Sequence, residues 1–157
     1  MSKQLIGMTD RVDFPDFDLV DIPAKVDTGA YTSSLHCSDV EVVQLRGRQT
    51  LSFRLIDKTA DDSRRFFTRH FSQRMIRNSF GVAELRYVIK TRLVLFGHTF
   101  RAEFTLADRE RLKNPVLLGR KILRNRFVVD VSQKDLSYQL KIDQQQAESD
   151  EASRVDS

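Results

Sequence analysis

Apolar and polar residues alternate along most of this chain, and that alternation predicts strands. Over residues 20–26 it puts Val20, Ile22, Ala24 and Val26 on one face and Asp21 and Lys25 on the other. The result is a half-buried strand that delivers Asp27 to its end. Pro23 lies within the run and has no N–H to give, which confines it to an edge or a bulge. Ahead of it, residues 5–8 and 11–14 read as two strands or a strand and its return, with a turn at Pro15-Asp16. Behind it, residues 39–56 read as a hairpin turning at Arg46-Gly47-Arg48, because Val40, Val42, Leu51, Phe53 and Leu55 alternate with polar residues. The β-branched and aromatic run 84–96 turns at Gly97-His98 into residues 99–106, a second hairpin.

Less regular segments lie between. Residues 57–63 are polar without a period, residues 78–81 (Asn-Ser-Phe-Gly) read as a turn, and residues 108–113 form a polar connection ended by Pro115. Val116-Leu117-Leu118 is fully apolar and stops at Gly119, after which residues 120–125 have helical propensity. Residues 127–131 and 136–140 read as closing strands, and residues 143–157 as a disordered acidic tail with too little apolar content to order itself. Many short strands, tight turns and one short helix predict an all-β barrel or sandwich over residues 1–142.

Composition narrows the class. A chain of 157 residues suits one domain with a sizeable core. Its one cysteine, Cys37, excludes an intrachain disulfide and fits a reducing compartment. The first residues lack the basic segment and apolar run of a secretory signal, and no apolar stretch approaches a membrane span, so a cytoplasmic protein is expected. The formal charge of +4 is unevenly spread: residues 143–157 carry a net −4, leaving +8 on residues 1–142. A basic body is either a solvated surface or an attraction for an acidic partner. Nucleic acid is the least favoured partner, since there is no aromatic RNA-binding motif or zinc finger.

Candidate chemistry gathers at Asp27-Thr28-Gly29-Ala30, a carboxylate followed at once by a hydroxyl and a glycine. Alone, that motif is as well explained by a structural turn. With Leu117-Leu118-Gly119-Arg120 far downstream, it resembles the paired loops of retroviral-type aspartic peptidases. Residues 24–37, 86–91 and 117–130 are similar to a small retropepsin-like family labelled "ATP-dependent zinc protease", often found with ATP-grasp ligases that add glutamates to a ribosomal protein. The resemblance runs over residues 6–140. It implies a closed acid-protease barrel and a homodimer in which two copies of Asp27 meet as a catalytic pair. Thr28 would hold the loops in register, Gly29 and Ala30 would give the substrate room, and Leu118, Gly119 and Arg120 would form the structural and dimer frame.

The family's label finds no support in the residues. No Gly-x-x-x-x-Gly-Lys-Ser/Thr string exists, and His36, His70 and His98 are widely spaced, with no paired cysteines. No metal ligand set and no cofactor are assigned. Two departures from viral retropepsins stand out. Tyr31 replaces the acid that usually pairs with the Arg120 position, and the stretch 57–81, where a flap is expected, is rich in arginine and holds one glycine, so a mobile glycine-tipped flap is not evident. Arg64, Arg65, Arg69, Arg74 and Arg77 either line the Asp27 site and select acidic, glutamate-tailed peptides or belong to an ordinary solvated hairpin. The alternative to a peptidase is a non-catalytic module that binds or regulates a glutamate ligase or a ribosomal protein.

Overall fold

A computed structural model describes residues 2–55, 64–77, 80–107 and 114–155. The expectations for residues 56–63, 78–79, 108–113 and 156–157 lie outside the described residues. The strands are β1 (Gln4–Ile6), β2 (Thr9–Phe14), β3 (Leu19–Val26), β4 (Ser33–Leu45), β5 (Arg48–Leu55), β6 (Phe66–Thr68), β7 (Phe71–Arg77), β8 (Ala83–Leu95), β9 (His98–Ala107), β10 (Val116–Leu118) and β11 (Phe127–Val129). Two helices, α1 (Arg120–Leu123) and α2 (Leu136–Val155), and a 3-10 turn at Pro15–Phe17 complete the described elements.

Both predicted hairpins form. β4 pairs with β5 across Arg46 and Gly47, and β8 with β9 across Phe96 and Gly97. In each turn both residues have positive φ, the conformation whose twist matches that of paired strands. Phe96 tolerates it because its N–H donates to Ser137 Oγ at 2.8 Å and its ring packs on Phe127. β7 and β8 form a third hairpin, with Phe80 and Gly81 at its tip, and Gly81 again has positive φ. The described part of the region where a flap is expected therefore does carry a glycine at a projecting tip.

The main sheet runs β10-β3-β2-β8-β9-β4-β5-β6, and β10 pairs in addition with β4, parallel to β3 on one side and antiparallel to β4 on the other. This makes a mostly β fold around one core. Phe14 meets Phe104 edge to face, and Phe17, Phe53 and Phe66 cluster under β5 and β6. Such ring pairs add to the burial of the rings themselves.

Three local readings are corrected. Val20 is exposed while Leu19 is buried, because Asp21 has φ 58° and the β2 ladder slips there, pairing Val12 with Ile22 but Phe14 with Leu19. The alternation is interrupted before it resumes at Ile22. Pro23 is tolerated because β10 flanks β3 only from Ala24 onward. Second, residues 136–140 are not a strand, and residues 143–155 are not an irregular tail. One helix, α2, covers both. Its start is set by a residue far away in sequence. The buried Asp10 carboxylate of β2 accepts the N–H groups of Ser137 (2.9 Å) and Tyr138 (3.0 Å), two of the donors that a helix start leaves unpaired. Burial pushes Asp10 above the usual carboxylate range, against these N–H groups and that of Arg11, which favour its charged form. Lys141 Nζ adds a tie one turn later, 2.7 Å from Asp21 and 3.1 Å from Asp13. Third, residues 5–8 and 11–14 are two strands and not a strand and its return: β1 pairs with β11 instead of β2, running parallel with Gln4 opposite Phe127.

No helix among the described residues is long and apolar enough to cross a membrane.

Candidate active site

Asp27 follows the last residue of β3, and its N–H donates to Leu118 O at 2.9 Å, continuing the β3–β10 ladder by one bond. The chain then turns back on itself. Ala30 N–H donates to Asp27 O at 3.3 Å and Gly29 N–H to Asp27 Oδ1 at 3.0 Å. Gly29 does not have the positive φ that glycine alone adopts easily. A Cβ there would lie 3.3 Å from Asp27 Oδ1, so the missing side chain is what lets the backbone come up to the carboxylate.

The β10–α1 junction holds this loop from behind. Arg120 N–H donates to Ala30 O (2.8 Å), Lys121 N–H to Tyr31 O (3.0 Å) and Gly119 N–H to the hydroxyl of the buried Ser33 (2.8 Å). Leu118 is fully buried. A Cβ on Gly119 would lie 2.7 Å from Thr32 O, so the two segments approach more closely than any side chain allows. The structure thus brings Asp27, Thr28, Gly29 and Ala30 together with Leu118, Gly119 and Arg120. Ser33 belongs to the same frame, and nothing in its run of small polar residues sets it apart from Ser34.

The missing acid at Tyr31 has a structural answer. Arg120 Nη1 donates to Thr28 O at 3.0 Å, and its guanidinium lies 5.8 Å from the centre of the Tyr31 ring. A backbone carbonyl and an aromatic face take over from the carboxylate. Thr28, Tyr31 and Arg120 border an open cleft of about 550 Å³, with Lys3, Arg124 and Phe127 on its other walls.

The arginine-rich stretch is dispersed. Arg64 donates to Phe17 O and covers the Phe66 ring. Arg65 donates to Asp39 O, Ser52 Oγ and Glu41. Arg69 borders a different cleft, beside Asp16 and Phe67. Arg77 ends β7 at the far end of the β7–β8 hairpin. None of the five borders the cleft at Thr28 and Arg120. Arg74 grips Glu103 of β9 with both guanidinium nitrogens, at 2.8 and 3.1 Å, and Lys121 Nζ joins at 2.7 Å. His36 and Cys37 are buried side by side in β4, and no group of three or more His, Cys, Asp or Glu among the described residues could hold a metal ion.

The bond from Arg74, and after it that from Lys121, draws Glu103 from its ordinary 4.5 to about 2. A depressed acid stabilises the fold above its ordinary value and loses that contribution as pH falls toward the folded one. Glu103→Gln is expected to cost about 1–2 kcal/mol at neutral pH, the full linkage value being reduced because both cations are nearly half exposed. Urea unfolding from pH 5 down to pH 2 checks this: the parent should lose its advantage over the variant across that window.

Residues 5–139 match the family model described as RimB-like, retropepsin-like aspartic endopeptidase RimB. Among curated proteins, the chain is 34% identical over 134 residues to a protein of Desulfotalea psychrophila named "Probable alpha-L-glutamate ligase", covering 83% of this chain and 28% of that protein. A Shewanella halifaxensis protein of the same name is 35% identical over 136 residues, covering 84% and 29%. The chain therefore spans under a third of the length of these relatives. Among solved structures, the crystal structure of Lpg0085 from Legionella pneumophila, of unknown function, superposes with a TM-score of 0.70 at 24% identity, covering 87% of this chain and 99% of that one. That likeness concerns the fold alone.

Proposed function

The chain belongs to the RimB-like family of retropepsin-like aspartic endopeptidases, and from that premise we propose that it is itself an aspartic peptidase working as a homodimer. The observation that carries this reading is the Asp27 loop, fixed by Leu118, Gly119 and Arg120 at the edge of an open cleft. One chain supplies one such carboxylate. A second copy related by a two-fold axis supplies the other, with Thr28 holding the two loops in register. Two carboxylates a few ångströms apart do not both stay ionised, so the pair holds one proton: one acid activates a water and the other protonates the scissile carbonyl oxygen. The circuit of strand pairs that β10 completes supports the closed acid-protease barrel this mechanism uses.

The relatives named as glutamate ligases supply the substrate side of the reading, a protein carrying an acidic or glutamate tail. Their greater length also favours a second reading, in which this unit serves a ligase as a binding or regulatory module without catalysis. Sedimentation equilibrium combined with cleavage of a glutamate-tailed peptide tests the first. We expect a dimer whose specific rate falls on dilution with the dimer fraction. A monomer with an undiminished rate would overturn the shared-dyad mechanism.

A further inference from the structure

We propose that the cleft bordered by β8, β9 and α1, lined by Lys90, Arg101, Lys121 and Arg126, binds carboxylates and takes the acidic stretch of a peptide presented to Asp27. The role toward Asp27 rests on the peptidase reading; the binding site itself does not.

The cleft holds about 330 Å³, and the only acid among its described lining residues is Glu103. That acid is already engaged by Arg74 and Lys121, with Lys90 Nζ 3.7 Å away. The cluster thus shows in its own side chains how it takes a carboxylate, with a two-pronged guanidinium on one side and an ammonium on the other. Cations remain after Glu103 is satisfied. Arg126 is held over the Phe100 ring at 4.6 Å with Nη1 on Ile122 O, which orients its guanidinium at the cleft wall. Arg101 is exposed and faces Arg92 directly across the β8–β9 ladder. Like charges so opposed destabilise a sheet. Arg92 turns instead to Asp16, at 2.7 Å, and Arg101 gains no ion pair from it.

The cleft is also joined to the Asp27 loop through one turn of helix. Arg120 bonds to Thr28 O and Ala30 O, while the next residue, Lys121, bonds through its N–H to Tyr31 O and through Nζ to Glu103. A peptide crossing α1 from the loop meets the cations within a few residues, since each extended residue spans about 3.3–3.6 Å. Selection for acid is thereby moved from the stretch 64–77, none of whose five arginines lines this cleft, to β8, β9 and the α1 region, with Arg74 reaching it only through Glu103.

The test uses the full chain carrying Asp27→Asn, so that peptide is bound without being consumed, and reads the fluorescence anisotropy of a labelled hexaglutamate peptide. Adding Lys90→Gln and Arg101→Gln, two exposed side chains, should weaken binding about tenfold and reduce its salt dependence, with the thermal midpoint unchanged. Adding Arg69→Gln and Arg77→Gln instead should leave binding as it was. Equal affinity of the Lys90/Arg101 variant and its parent would overturn the proposal. So would tighter binding of a charge-matched oligonucleotide, which would make the cleft a phosphate site. Binding is read without turnover, so a wild-type chain that binds the peptide through this cleft but never cleaves it fails the peptidase reading alone.

Discussion

Asp27→Asn is expected to lower peptidase turnover by about 10³-fold or more while leaving the unfolding midpoint close to that of the parent. The loss follows from the chemistry: an amide neither takes a proton from water nor shares one with a second carboxylate. The fold is spared because, among the described residues, the carboxylate accepts one bond, from Gly29 N–H to Oδ1, and the amide oxygen of asparagine accepts it equally well. Steady-state cleavage of a glutamate-tailed peptide, alongside thermal unfolding of both proteins, reads the two halves of the prediction. Full activity in the variant would remove Asp27 from the mechanism. If neither protein cleaves and both bind a glutamate ligase equally tightly, the module reading takes over.

Gly119→Ala is expected to cost more stability than Glu103→Gln. The backbone at Gly119 is extended, with φ −91° and ψ 178°, a conformation open to alanine, so any penalty is steric. The added Cβ would stand 2.7 Å from Thr32 O, 2.8 Å from its carbonyl carbon and 2.9 Å from Tyr31 O. All three are backbone atoms, and none can rotate away as a side chain would. Either β10 and α1 retreat from the Asp27 loop or the loop moves, at a cost of about 3 kcal/mol. Both movements break the bonds from Arg120 to Ala30 O and Thr28 O, so activity should fall further than the lost stability explains. Urea titration and cleavage assays on the same preparation decide the point. A variant within 1 kcal/mol of the parent and fully active would contradict the packing described here.

What the residues announce and what they conceal follow from the range of the forces involved. The hairpins β4–β5 and β8–β9 are legible because alternation and a turn glycine act locally, and the paired loops at Asp27 and Gly119 because their motifs are compact. α2 is not legible: Leu136, Tyr138 and Leu140 alternate as a strand would, and the carboxylate that starts the helix belongs to Asp10, 127 residues away. Val20 fails for a related reason, since a single residue at positive φ, Asp21, resets the phase of an otherwise regular run. The arginines of the stretch 64–77 are conspicuous as a group but separate in space, because strand and loop geometry sends Arg64, Arg65 and Arg74 to three different partners. The cations of the β8–β9–α1 cleft come from three elements and the turn after α1, and no short motif unites them.

The bond from Arg120 to Thr28 O joins residues 92 apart. At the pace of protein synthesis, the acid leaves the ribosome on the order of ten seconds before the frame that fixes it. During that interval a growing chain carries the Asp27 loop without β10 beside it, and the carboxylate has neither its backbone support nor the neighbouring helix. The parallel pairing of β3 with β10 thus leaves the setting of this loop until nearly the whole fold has been synthesised.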